Sequence, residues 1–259
     1  MRTFSKNSSR TSDCGRRDET YRTLSEGTAA KLGASSKFGD RGTIDAPTRS
    51  GLFGMIAAAC GIDKNDEAHD HKWLEDAANL SLTILAFRRG DRMTDYHTIG
   101  ARYDKDDPWQ RRMIPVTADG KPRGTDLTHR DYLMDSVFGA VISGDDVLVA
   151  EMAAGLANPV WGVWFGRKSC IPTEPILVGV FDSDEAARKA LDARLSASLE
   201  RGGGKIAGKR EDDAVKFDLV EATADEAEET LLDVPVSFKK REFHARRIRR
   251  EIREPIAKE

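Results

Sequence analysis

Two apolar stretches, Leu82 to Arg88 (LTILAFR) and Arg130 to Ile142 (RDYLMDSVFGAVI), bound what this chain of 259 residues can fold into. Both carry core-forming residues at strand spacing. Between them, after a turn at Gly90-Asp91 and a second strand over Met93 to Ile99, lie residues 101–126. That segment holds six Lys or Arg, several prolines and one Trp. It is too polar for core and too long for a tight turn. The spacing predicts a hairpin that protrudes from a sheet, its tip near Asp119-Gly120, where Asp-Gly suits a type I′ turn.

Around this pair, strand and helix signals alternate. Tyr21 to Glu26 reads as a weak strand. Pro47 opens a helix over Thr48 to Cys60, capped by Thr48 or Ser50 and ended by Gly61. Further helices are predicted over Glu67 to Leu80, Asp145 to Asn158 and Ser183 to Arg201. Short strands are predicted over Trp161 to Phe165, Ile176 to Phe181, Ala214 to Val220 and Val234 to Phe238. Residues 1–20 read as a polar tail, and Lys239 to Arg253, with eight Lys or Arg, as a basic tail. The alternation suggests an α+β protein of the ferredoxin or RRM type. Three parts are expected: a tail over 1–20, a main domain over 21–181 with the hairpin at 101–126, and a smaller α/β part over 182–259.

The residues exclude several chemistries. Cys14, Cys60 and Cys170 form no CxxC pair, so neither a zinc ribbon nor a dithiol redox site is supported. His69 and His71 sit two apart on a predicted helix and point to different sides. No HExxH, GxSxG or Walker A pattern occurs. Gly202-Gly203-Gly204-Lys205 follows a helix, whereas a phosphate loop precedes one. There is no apolar run of about 18 residues and no signal-peptide pattern, so a cytoplasmic protein without a membrane partner is expected.

Charge is more informative. The net charge is −3, yet the basic residues cluster. Lys37, Arg41 and Arg49 lie in and after the first loop, Arg111 and Arg112 in the protrusion, and Arg167 and Lys168 in a Gly166 to Pro175 loop. Glycine-flanked Arg-Lys pairs suit phosphate contact, and patches rather than averages bind nucleic acid.

Four stretches resemble one family. Pro47-Thr48-Arg49-Ser50-Gly51-Leu52-Phe53-Gly54 looks like a PT(K/R)SG-(V/L)-x-G helix start. Thr128 to Phe138 (THRDYLMDSVF) is similar to an xxREYLxDAxF strand, and Asn158 to Cys170 to a segment ending LGRKSC. Asp233 to Phe238 and the basic residues after it resemble the family's C-terminal end. The family is the CRISPR-associated Cas five family, in particular its CasD-like branch in type I-E Cascade. One departure is a family GPxQSWG turn, which here reads Gly27-Thr28-Ala29-Ala30-Lys31-Leu32-Gly33.

The resemblance implies a ferredoxin-like/RRM-like domain with an inserted hairpin thumb at 101–126 and a smaller β-containing C-terminal part. It implies a non-catalytic subunit, without metal or cofactor, that grips the 5′ handle of the CRISPR RNA. The neighbours would be a CasC backbone subunit and the large subunit CasA, with target DNA met through the complex. Lys37, Arg41, Arg49, Ser50, Tyr96, His97, Arg111, Arg112, Arg130, Arg167 and Lys168 become the candidate RNA contacts. The enzymatic alternative is a metal-independent endoribonuclease that processes precursor CRISPR RNA, as in type I-C relatives. Tyr96, His97 and a nearby cation would then supply the base and the charge for phosphorane formation.

Overall fold

In the chain's order, eight residues of β1 (Glu19–Glu26) come first and are followed by the two-residue strands β2 (Ser36–Lys37) and β3 (Asp40–Arg41). Then come α1 (Arg49–Cys60), α2 (Glu67–Ala78), β4 (Ser81–Arg88), β5 (Asp91–Ile99), α3 (Pro108–Arg111), β6 (Asp126–Met134) and β7 (Val137–Gly144). The chain continues through α4 (Asp146–Ala157), β8 (Leu177–Phe181), α5 (Asp184–Arg201), β9 (Lys216–Glu221), β10 (Glu229–Ser237) and β11 (Glu242–Arg253). The structure is a computed structural model that describes residues 19–26, 36–37, 40–99, 104, 106–113, 116–120, 126–201 and 216–253. The expected tail over 1–18, the Gly27 to Gly33 turn and the Gly202 to Lys205 run lie outside the described residues.

The main sheet is antiparallel, in the order β10-β11-β9-β4-β7-β1-β8. Its centre is buried on both faces, so its strands read as continuous apolar runs. Leu82, Ile84 and Ala86 of β4, with Phe138, Ala140 and Ile142 of β7, pack under α1, α2 and α4. Leu85, Phe87, Val137 and Val141 pack on the other face against Leu191 and Leu195 of α5. β1 is polar for an inner strand, yet it pairs along its length with β7, Glu19 opposite Gly144 and Glu26 opposite Val137. The C-terminal strands join this same sheet, because β9 pairs with β4.

Local signals account for the helix ends. Thr48 caps α1 by accepting a hydrogen bond from the Gly51 N–H at 3.1 Å. Gly61, at φ 76°, ends it in the left-handed region. Asp145 caps α4 through the N–H groups of Val147 and Leu148.

Three expectations change. The apolar stretch Arg130 to Ile142 is two strands in two sheets, split where Asp135 takes φ 54°. Across from that break Gly90 stands at φ 77°, and a Cβ on it would come within 2.2 Å of the Met134 carbonyl oxygen. Both legs of the hairpin therefore leave the main sheet at one level. The legs, β5 and β6, form a second sheet in the order β2-β3-β6-β5. Trp161 to Phe165 forms no strand but the start of a loop closed by a Phe165 N–H to Cys170 carbonyl bond at 2.8 Å. Residues 242–253 are a strand between β10 and β9 rather than a basic tail. Three of the arginines there are spent on carboxylate partners. Arg246 grips Asp233 with two bonds at 3.0 and 2.8 Å, Arg253 meets Asp218 at 2.6 Å, and Arg249 meets Glu251.

Arg49 is likewise structural. It was expected at the RNA surface, but it is 2% exposed and belongs to the core. Its guanidinium donates to the carbonyls of Ala77, Ala78 and Leu80 at the end of α2 and to Glu221 at 2.6 Å. Its backbone N–H donates to Asp233 at 2.7 Å. One residue thus joins α1, α2, β9 and β10. Its removal takes a charged donor from three carbonyls and the ion-pair partner from Glu221, while the backbone bond to Asp233 remains. Arg49→Leu should cost about 3 kcal/mol of folding stability in urea denaturation, because breaking a buried ion pair from one side costs about 3–5 kcal/mol. Arg49→Lys should recover only part of that, since an ammonium cannot reproduce the fork. An Arg49→Leu protein within about 0.5 kcal/mol of the parent, the scatter of ordinary surface changes, would show the network to be dispensable.

Candidate nucleic-acid interface

Strand alternation sorts the hairpin's side chains into two faces, because directly opposed residues of an antiparallel pair share one. Met93 opposes Tyr132, Asp95 opposes Arg130, and His97 opposes Thr128. The other face carries Thr94 opposite Asp131 and Tyr96 opposite His129. Tyr96 and His97 therefore point to opposite sides of β5. Tyr96 is 59% exposed, with its ring tilted against His129 at a centroid distance of 5.6 Å.

The first face meets the loop between α4 and β8. Phe165 and Cys170, both buried, fix the ends of that loop, and the Cys170 N–H bonds back to the Arg167 carbonyl at 2.8 Å. Arg167 is thereby turned toward the hairpin. Its guanidinium carbon lies 4.7 Å from the centre of the Tyr132 ring, and its Nη1 donates to the Tyr132 hydroxyl at 2.6 Å. The Arg167 Nη2 is buried and has no partner among the described residues. Arg130, two residues before Tyr132 on the same face, donates from Nε to the Thr128 hydroxyl at 3.2 Å. Thr128 in turn donates to the His97 carbonyl. Lys168 points the other way, exposed, with its ammonium 5.5 Å from the Trp164 ring centre.

The structure thus brings Arg130, His97 and Arg167 to one seam, with Lys168 on the loop beside it. Arg41 on β3 pairs in register with Arg130, and Lys37 lies on the neighbouring β2. Arg111 lies in α3 and Arg112 follows it, exposed, in the outer part of the hairpin beside Trp109, which is 73% exposed. The Gly120 N–H closes a turn onto the Thr117 carbonyl near the expected tip. Arg49 and Ser50 do not join the seam: Arg49 is buried, and the Ser50 hydroxyl pairs with that of Thr48. Sequence reasoning missed Tyr132 and Thr128. The signal was present in the period-two spacing of Thr128, Arg130 and Tyr132. Among the described residues there is no group of three or more His, Cys, Asp or Glu placed to hold a metal. No helix among them is long and apolar enough to cross a membrane.

The root of the hairpin is clamped by Asp45. It accepts from Arg89 at 2.7 Å and from Arg92 at 3.3 Å, and Arg92 also donates to the Thr43 carbonyl. Burial by itself raises the Asp45 carboxyl, but the hydrogen bonds and charges of Arg89 and Arg92 outweigh it and hold the group below its ordinary range.

Comparison with known proteins adds an independent line. The profile of a family described as CRISPR-associated protein (Cas_Cas5) matches residues 25–253. A curated relative, the CRISPR system Cascade subunit CasD of Escherichia coli (strain K12), is 27% identical over 215 residues, 80% of this chain and 86% of that one. Among solved structures, a chain of a CRISPR RNA-guided surveillance complex superposes with a TM-score of 0.63 at 27% identity, covering 90% of this chain and 89% of that chain. A structure described as a Cas protein matches at 0.55 and 20% identity, covering 90% and 94%, which bears on the fold alone.

The clamp gives a pH signature. A carboxyl lowered in the folded state stabilises above its unfolded pKa and loses that contribution as pH falls through the folded value. Asp45→Asn should therefore cost about 0.5 kcal/mol at pH 7, as expected of a partly exposed pair. The difference should shrink as pH falls from the ordinary Asp value near 3.9 and disappear only once it passes below the lowered folded value. Parallel melts of the two proteins across this range provide the check.

Proposed function

The chain belongs to the CRISPR-associated protein (Cas_Cas5) family, and from that premise we propose that it is a non-catalytic, CasD-like RNA-binding subunit of a type I-E Cascade surveillance complex. It grips the 5′ handle of the guide RNA and caps the backbone of the complex in antiviral defence. The strand order β4-β7-β1-β8, with α1 between β1 and β4 and α4 between β7 and β8, supports a ferredoxin-like or RRM-like palm. The hairpin β5–β6 is its thumb. A CasC backbone subunit and the large subunit CasA are the neighbours, and target DNA is met through the assembled complex.

The observation that carries this reading is one face of the thumb root, where Arg167 is held by Tyr132 and Arg130 by Thr128. Single-stranded RNA is held by backbone charge and by rings against its splayed bases. Here guanidinium groups lie on one face of the thumb root, and the exposed Tyr96 ring lies on the other. Cleavage of the RNA needs a base and a cation converging on one phosphate. The separation of Tyr96 from His97 on opposite faces supports the scaffold role over the nuclease.

The test is co-expression with the remaining Cascade subunits and a CRISPR array, followed by pull-down on this chain. A large complex carrying RNA with one defined 5′ end is expected. Arg130→Glu and Arg167→Glu should each cut the RNA retained by about tenfold, reversing a charge at a phosphate site. Unchanged retention in both would assign the chain to protein contacts alone. Specific metal-free cutting of precursor RNA that disappears in His97→Ala would overturn the scaffold reading.

A further inference from the structure

We infer that Tyr132 is a positioning residue: it aims Arg167 at a phosphate of the bound strand. The inference rests on the reading that this seam holds RNA.

Arg167 sits on a loop, where a long cationic side chain would ordinarily sweep through solvent. Tyr132 prevents that in two ways. Its buried ring offers a flat face 4.7 Å from the guanidinium carbon, and its hydroxyl accepts from Nη1 at 2.6 Å. The two contacts together fix both the plane and the rotation of the guanidinium. They leave Nη2 as the end without an acceptor among the described residues. A buried charged donor without an acceptor is an unfavourable arrangement that an anion relieves. Arg130 stands two residues from Tyr132 on the same strand face, about 6.6 Å along the strand. Its Nε is held by Thr128, which fixes the side chain's direction as well. Arg130, held by Thr128, and Arg167, held by Tyr132, thus stand on one face of the thumb root. Because both are fixed beforehand, little rotamer freedom remains to be lost on binding.

The experiment uses the co-expressed complex and measures RNA retention against salt. Each phosphate contact on a single strand contributes about 0.7 to the slope of log affinity against log salt. Arg167→Ala should lower the slope by about that amount. Tyr132→Leu should lower it equally, and Tyr132→Phe, which keeps the ring but not the hydroxyl, should weaken retention by about threefold. The decisive measurement is the pair: Arg167→Ala with Tyr132→Leu should bind no more weakly than Arg167→Ala alone. A residue that merely supports the core would instead add its own loss. Should Tyr132→Leu fail to assemble, Tyr132→Phe in the parent and Arg167→Ala backgrounds carries the same comparison. Additive losses, or a parental slope in the Tyr132 variants, would overturn the inference while leaving the RNA role of Arg167 intact. A parental slope in Arg167→Ala would overturn the RNA reading of this seam and the inference with it. If that variant drops out of the complex with its slope unchanged, the acceptor is a protein carboxylate and the inference also fails.

Discussion

Everything else in this fold is arranged around a buried knot of charge. Asp233 on β10 receives the backbone N–H of Arg49 and both arms of Arg246, and Arg49 reaches on to Glu221 and to the end of α2. Buried charges are tolerated only when paired and hydrogen-bonded, so each group here dictates where the others lie. The knot decides the angle at which α1 enters, the place where α2 stops, and the pairing of the three C-terminal strands beneath them. A hydrophobic substitute could fill the space but would not specify these directions. The conversion of basic residues into internal struts also explains how a chain rich in arginine keeps only some of them for its surface.

What remains at the surface is organised by the thumb. Its strands depart from the palm together, at Gly90 and Asp135, and its root is held by Asp45. Strand alternation then gives it two unlike sides. One presents guanidinium groups locked by Tyr132 and Thr128, and the other presents the Tyr96 and His129 rings. A single hairpin can therefore place charge against a backbone on one side and a ring against a base on the other.

Much of this was legible in the amino-acid order, and the failures share a cause. The apolar run LTILAFR declared a strand, and the polar run beyond the next strand declared a protrusion. Thr48, Asp145 and Gly61 announced helix ends through their own chemistry. Arg49 misled because an arginine at a helix start looks like an anion contact, while its partners come from residues 77–80, 221 and 233. The strand Glu242–Arg253 misled likewise, since a cation-rich run looks solvated until Asp233, Asp218 and Glu226 are seen around it. The break at Asp135 leaves the apolar pattern intact and is visible only in the backbone. Arg130 and Arg167 were singled out by their charge, but Tyr132 was not, because packing and orienting look the same in a sequence.

The knot also has a consequence for how the chain is made. Arg49 and Asp233 are separated by 184 positions, and β4 acquires its second neighbour, β9, from residues near the other end. Such distant pairings form late, after their loop-closure cost has been met. On a ribosome the first helix emerges long before the strands that neutralise it. The nascent chain therefore carries an uncompensated cation at its centre until synthesis is almost complete. A product cut short before β10 lacks Asp233, the carboxylate that unites both arginines, along with the last two strands of the sheet. The order of synthesis thus sets a sequence of events: the thumb is translated before the strands that close the scaffold beneath it.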